Sequence, residues 1–220
     1  METTEQFPGA YKVLMGIAQV TTKWWGRLEV TGVENLPASG PMLLCGNHDS
    51  YWDPLAIGRA CYPRRQVHAM AKHSLWDVPV VGSILTKAEH IPVERGKGDG
   101  VAMQHAEEAL RQGQCVGIFI EGTRSLGRPL RARSGLGHLA VAVPEAEIVC
   151  RTVTGTTEMT QFTRPKLKVD IFRPAGGGLQ DGEDPTEFCQ RLLDEIRGKA
   201  PRAIAGRKHR AAAARGGLAD

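Results

Sequence analysis

Short runs of strand-forming residues recur along this chain at 28–30, 42–45, 67–70, 116–120, 148–153 and 167–172. Between several of them lie stretches with helical spacing, at 54–60, 79–85, 98–112 and 185–197. That alternation predicts an α/β domain with helices covering a sheet, because each kind of element must bury its apolar side against another. At 220 residues the chain suits one such domain. Its 41% hydrophobic and 24% charged residues are ordinary for a folded soluble protein. Pro174-Ala175-Gly176-Gly177-Gly178 reads as a flexible turn before the last helix.

Residues 11–25 read as a helix ahead of that domain. Tyr11, Leu14, Met15, Ala18 and Trp25 share one face, and Val13, Ile17, Val20 and Trp24 widen it. A broad apolar face with Lys12 and Lys23 beside it and a terminal tryptophan pair suits a helix lying in lipid headgroups. It suits equally a helix packed on the domain's own core. The formal charge of +4 is unevenly placed, with Arg197, Lys199, Arg202, Arg207, Lys208, Arg210 and Arg215 crowding the end. Such a segment fits an anionic surface, and also a plain solvated terminus. The expected organisation is therefore 1–26 as an amphipathic, membrane-surface helix, 27–197 as the folded domain and 198–220 as a basic flexible tail.

The five cysteines are odd in number, scattered, and form no Cys-x-x-Cys pair. They predict a reducing compartment, with neither a disulfide framework nor structural zinc. Glu2 and Glu5 precede any apolar stretch, so no signal peptide is expected, and no apolar run approaches the length of a bilayer span.

The chemistry gathers in two runs. Asn47-His48-Asp49-Ser50-Tyr51-Trp52-Asp53-Pro54 follows one apolar strand, and Glu121-Gly122-Thr123-Arg124-Ser125 follows another. A neutral imidazole is the side chain best poised to take a proton near neutral pH. A hydroxyl becomes a competent nucleophile when such a base accepts its proton, a contribution of roughly 10²–10⁴-fold. A carboxylate on the other ring nitrogen fixes the tautomer and stabilises the imidazolium, and Asp53 can serve if the chain turns between the two residues. Because Pro54 follows it, Asp53 also reads as a helix N-cap. In the second run Gly122 permits a tight bend and Arg124 offers a fork of donors for a phosphate, with Thr123 and Ser125 adding hydroxyls. A surface turn with a local ion pair is the plainer reading. Ile91-Pro92-Val93-Glu94-Arg95 supplies another arginine. Gly96, Gly98 and Gly100 fit neither a P-loop nor a dinucleotide fingerprint, so a small phosphate is expected rather than ATP. His48, Asp49, Asp53, His68 and His73 include metal-ligand types, but their spacing does not place ligands together on one helix, and no metal is expected.

In these blocks the chain resembles the glycerolipid acyltransferases, specifically the bacterial 1-acylglycerol-3-phosphate acyltransferase family. Asn47, His48, Ser50 and Asp53 match the family's first block. Ala71-Lys72 through Pro79, Gly82 and 91–95 match the second, and 119–125 the third, with Ile120 in place of proline. The likeness runs from about Arg27 to Phe172. It implies a single α/β domain with a mixed, mostly parallel sheet. It implies His48 as general base with Asp53 as its partner, and Arg95, Glu121, Gly122, Thr123 and Arg124 holding the acceptor's phosphate or ordering that pocket. Asn47, Ser50 and Lys72 are further candidates, Lys72 also reading as a surface lysine. It further implies an acyl thioester donor, on coenzyme A or acyl carrier protein, with no bound cofactor. The acceptor would be a lysophospholipid, foremost 1-acylglycerol 3-phosphate. The enzyme would work peripherally at the anionic, cytoplasmic face of a membrane, with no specific nucleic acid as partner. Related acceptors are the alternative: glycerol 3-phosphate, another lyso- or amino-lipid. So is a lipid-binding member without turnover. The fourth block departs from pattern: Cys150 stands where proline is usual and Arg151 where an apolar residue is usual.

Overall fold

The computed structural model describes residues 7–94, 100–160 and 163–203. Arg95, the glycines at 96 and 98, and the basic residues from Arg207 to Arg215 lie outside the described residues. A seven-stranded sheet forms the centre, in the order β1-β7-β6-β2-β5-β3-β4. Its strands are β1 (Arg27–Thr31), β2 (Met42–Gly46), β3 (Val67–Lys72), β4 (Ile91–Val93), β5 (Cys115–Phe119), β6 (Glu147–Thr154) and β7 (Lys166–Phe172). Only β6 and β7 pair antiparallel; every other neighbouring pair is parallel. The expected mixed, mostly parallel α/β domain is what the chain forms.

Parallel strands need crossovers, and helices supply them on both faces. The helices are α1 (Gly9–Val20), α2 (Asp53–Cys61), α3 (Pro79–Lys87), α4 (Gly100–Arg111), α5 (Gly135–Ala142) and α6 (Pro185–Lys199). β2 shows why its sequence is apolar throughout. Leu43 and Cys45 point into a core shared with α4, α5 and α6, while Met42 and Leu44 point into one shared with α2. From β2 the chain crosses by α2 to β3 on one side, and from β5 it crosses by α5 to β6 on the other. The connections diverge around β2 and β5, and the carboxyl ends of such strands are where α/β sheets bind ligands.

α1 packs one side on the domain's own core and leaves the other exposed. Tyr11, Met15 and Ala18 are buried, and the Tyr11 hydroxyl accepts a hydrogen bond from the Val67 N–H at 3.2 Å. Val13, Ile17 and Val20 are exposed on the other side. The helix continues as a π-helical turn over Thr21–Trp25, which leaves Trp24 71% exposed. Among the described residues no helix is long and apolar enough to cross a membrane. All five cysteines are buried and none is in a disulfide, with the Cys45 and Cys150 sulfurs 3.6 Å apart on adjacent strands. Cys150 is therefore part of the core.

Candidate active site

His48 and Asp53 meet in the loop between β2 and α2. Nδ1 of His48 lies 2.8 Å from Oδ2 of Asp53, and Asp53 is fully buried. The same oxygen accepts the backbone N–H groups of Asp49 at 2.7 Å and Ser50 at 2.8 Å, and Oδ1 accepts from the Thr156 hydroxyl. Donors surround this carboxylate on every side, so the proton of a neutral His48 ring sits on Nδ1 and Nε2 keeps its lone pair. The cap reading of Asp53 gives way: it is the first residue of α2, and its side chain turns back to the loop instead of to the helix N–H groups. The imidazole stacks on Phe119 at 3.8 Å between centroids and is only 8% exposed.

Asn47 anchors the loop to β6. Its amide donates to the Val153 carbonyl and accepts from the Val153 N–H, both at 2.8 Å, as one more rung of a ladder. Ser50 Oγ donates to the Thr156 carbonyl at 3.0 Å. Gly46 is required just before them, because a Cβ there would sit 2.4 Å from the Arg151 carbonyl oxygen. Arg151 is fully buried under this corner. Its Nη1 donates to the Asn47 carbonyl at 3.4 Å, its guanidinium lies 4.6 Å from the centre of the Phe119 ring, and its Nε has no hydrogen-bond partner. Burial lowers its pKa, against the opposing pull of nearby thiols and Asp53.

Glu121 and Arg197 complete the buried set. Glu121 follows β5, and its Oε2 accepts the His48 N–H at 3.4 Å. Arg197, from the last turn of α6, donates to both Asp49 oxygens at 2.9 and 3.0 Å and to Glu121 from Nε at 3.2 Å, with a further contact from Nη2 to Glu121. Burial works against the Arg197 charge, but the two carboxylates outweigh it and raise the pKa. Arg197 is thus a side chain of the site, not the first residue of a surface tail.

Beside this set opens a cavity of about 570 Å³ at the carboxyl ends of β3, β4 and β5. Phe119, Glu121, Gly122 and Thr123 line it together with Lys72, Arg133 and an apolar stretch that includes Met70, Met103 and Leu136. His48 does not line it; its ring stacks on Phe119, which does. Arg124 does not line it; its guanidinium instead lies 3.6 Å from the centre of the exposed Tyr51 ring. Gly122 adopts φ +70°, and a Cβ there would press on Arg133 at 3.0 Å. Among the described residues no three His, Cys, Asp or Glu side chains converge as a metal site.

The sequence profile of the acyltransferase family matches residues 27–154. The chain belongs to this family. A 1-acyl-sn-glycerol-3-phosphate acyltransferase of Bacillus subtilis is 31% identical over 167 residues, covering 74% of this chain and 81% of that protein. A protein of the same description from Borreliella burgdorferi is 35% identical over 109 residues, covering 48% of this chain and 42% of that one. A lyso-ornithine lipid O-acyltransferase of Pseudomonas aeruginosa is 31% identical over 156 residues, covering 68% and 57%. The crystal structure of a 1-acyl-sn-glycerophosphate acyltransferase from Thermotoga maritima superposes with a TM-score of 0.65 at 19% identity, over 86% of this chain and 77% of that one, and so shares its fold.

This O-acyltransferase brings His48, Asp53, Asn47, Ser50 and Glu121 into one buried cluster and puts Lys72, Gly122 and Thr123 on the adjoining cavity. Three further residues of this candidate site carry no motif: Thr156, Arg133 and Arg197. Only Arg197 left a trace in the sequence, since it falls on the stripe of Phe188, Cys189, Leu192, Leu193 and Ile196 that α6 buries.

Proposed function

We propose that this acyltransferase moves a fatty acyl group from a thioester of coenzyme A or acyl carrier protein to the free hydroxyl of 1-acylglycerol 3-phosphate, giving phosphatidate. The observation that carries the reading is the His48–Asp53 contact of 2.8 Å with the carboxylate fully buried. The acceptor hydroxyl gives its proton to Nε2 of His48 as its oxygen attacks the thioester carbonyl carbon. Asp53 stabilises the imidazolium that forms. The carbon–sulfur bond then breaks, and the proton on Nε2 passes to the departing thiolate. An activated thioester needs no covalent acyl-enzyme.

The cavity supports a charged headgroup joined to an apolar chain. Lys72 and Arg133 would face the phosphate, while Met70, Met103 and Leu136 would lie along the lipid. The exposed Val13, Ile17, Val20 and Trp24 support work at a membrane surface, on the cytoplasmic face where soluble thioester donors are found. The resemblance to a lyso-ornithine lipid enzyme favours a second reading, the same chemistry on an amino-lipid acceptor.

Competition separates the two. Purified protein is offered acyl thioester with lysophosphatidate, glycerol 3-phosphate and lyso-ornithine lipid together, and the products are weighed by mass spectrometry. Phosphatidate should dominate; an acylated ornithine lipid as main product would move the reading to the second acceptor, and binding without any product would leave a non-catalytic lipid binder.

A further inference from the structure

We propose that Arg197 is a positioning residue of the active site, the cation that locks the histidine loop to the turn after β5. Its own place is inherited from the core: Phe188, Leu192, Leu193 and Ile196 are buried against the sheet, so the end of α6 has little freedom. From there the planar fork reaches two carboxylates on two different segments, Asp49 through both terminal nitrogens at 2.9 and 3.0 Å and Glu121 through Nε at 3.2 Å. Those carboxylates frame the base. Asp49 is its chain neighbour, and Glu121 accepts the His48 N–H at 3.4 Å. The His48 carbonyl in turn accepts the Ser125 N–H at 2.8 Å, and the Ser125 hydroxyl donates to Asp49. His48 is thereby held at both its peptide groups by the segment that lines the cavity. The guanidinium, bonded to both buried carboxylates, offsets the repulsion between their charges. Lysine, with one ammonium, cannot make both bidentate sets at once.

The consequence is kinetic, and this part rests on the acyl-transfer reading. Arg197 fixes how far the imidazole stands from an acceptor bound in the cavity. A displacement of about 1 Å between reacting groups costs on the order of 10²-fold in rate. An ion pair that served stability alone would lower the melting temperature and leave the rate per folded molecule unchanged.

The test uses full-length Arg197→Lys and Asp49→Asn proteins, with Arg197→Met as the harsher variant and folded fractions measured by circular dichroism. Hydrogen–deuterium exchange should quicken in peptides spanning 47–53 and 119–126 and stay unchanged in β2 and the body of α6. Rates per folded molecule should fall on the order of 10²-fold in kcat, with KM for donor and acceptor within about threefold of wild type. Arg197→Lys and Asp49→Asn combined in one protein should be no worse than the worse single change, because both cut the same link. Unaltered exchange in the two loops, or a kcat per folded molecule within about twofold of wild type in both milder variants, would overturn the proposal. If the wild-type protein acylates no lysolipid at all, the activity reading fails, and the exchange measurement alone still decides whether Arg197 holds the loops.

Discussion

At His48 the protein makes an ordinary imidazole directional. The ring is fixed by Asp53 on one edge and Phe119 on one face, and each neighbour is itself fixed by bonds to other segments. Asn47 ties the loop to β6, because its amide satisfies both the N–H and the carbonyl of Val153 inside the protein. Asn47→Ala would leave both backbone groups buried and unpaired, and should lower unfolding free energy by roughly 3 kcal/mol in urea titration. The His48–Asp53 pair was legible because five residues and one turn join its members. Thr156 was not, since it reaches Asp53 from 103 positions away, nor was Arg197, which meets Asp49 across 148. Such contacts are set by the order of strands in the sheet, which no local spacing encodes. Arg124 departs from its expected place: its fork stacks on Tyr51, while Arg133 lines the cavity.

Among the elements, α1 divides its work between two faces. The Tyr11, Met15 and Ala18 side is core, whereas the side bearing Val13, Ile17, Val20 and Trp24 has no partner among the described residues. α3 packs beside it and exposes Val80 and Val81, with Val78 exposed just before it. Replacing Val20 and Trp24 with alanine should therefore weaken partition onto anionic vesicles by about tenfold or more in a sedimentation assay, while the melting temperature holds. Tyr11→Ala should do the reverse, costing about 3–5 kcal/mol of stability. The sequence showed this helix because its apolar face is periodic, and showed every strand except the three-residue β4 as a strand-forming run. It hid α5. Gly135–Ala142 reads Gly-Leu-Gly-His-Leu-Ala-Val-Ala, small and apolar nearly all round, because that helix is wedged between α4 and α6 and has little wet face to mark its period.

For the molecule as a whole, acid should act through a group outside the His48 cluster. His90 Nδ1 accepts the Ala69 N–H at 3.0 Å, and burial, reinforced by nearby His68, holds its pKa down to about 4. An unfolded histidine takes up its proton near pH 6.5, so between about pH 6.5 and 4 the unfolded chain binds more protons than the native one. This contribution is fully present above pH 6.5 and is lost as pH falls towards 4, by roughly 3 kcal/mol in total. Urea midpoints across that range should decline accordingly, and His90→Asn should flatten the slope. Through the whole fold runs one arrangement: β2, β5 and β6 end together, so that a base from the first, a glutamate from the second and backbone partners from the third share one corner. The central claim is that the base there drives transfer. Its most direct test is the initial rate of phosphatidate formation from lysophosphatidate and acyl thioester by wild-type and His48→Ala proteins of matched circular dichroism. The account predicts a fall of at least roughly 10²–10⁴-fold in kcat; turnover by the variant at the wild-type rate would contradict it.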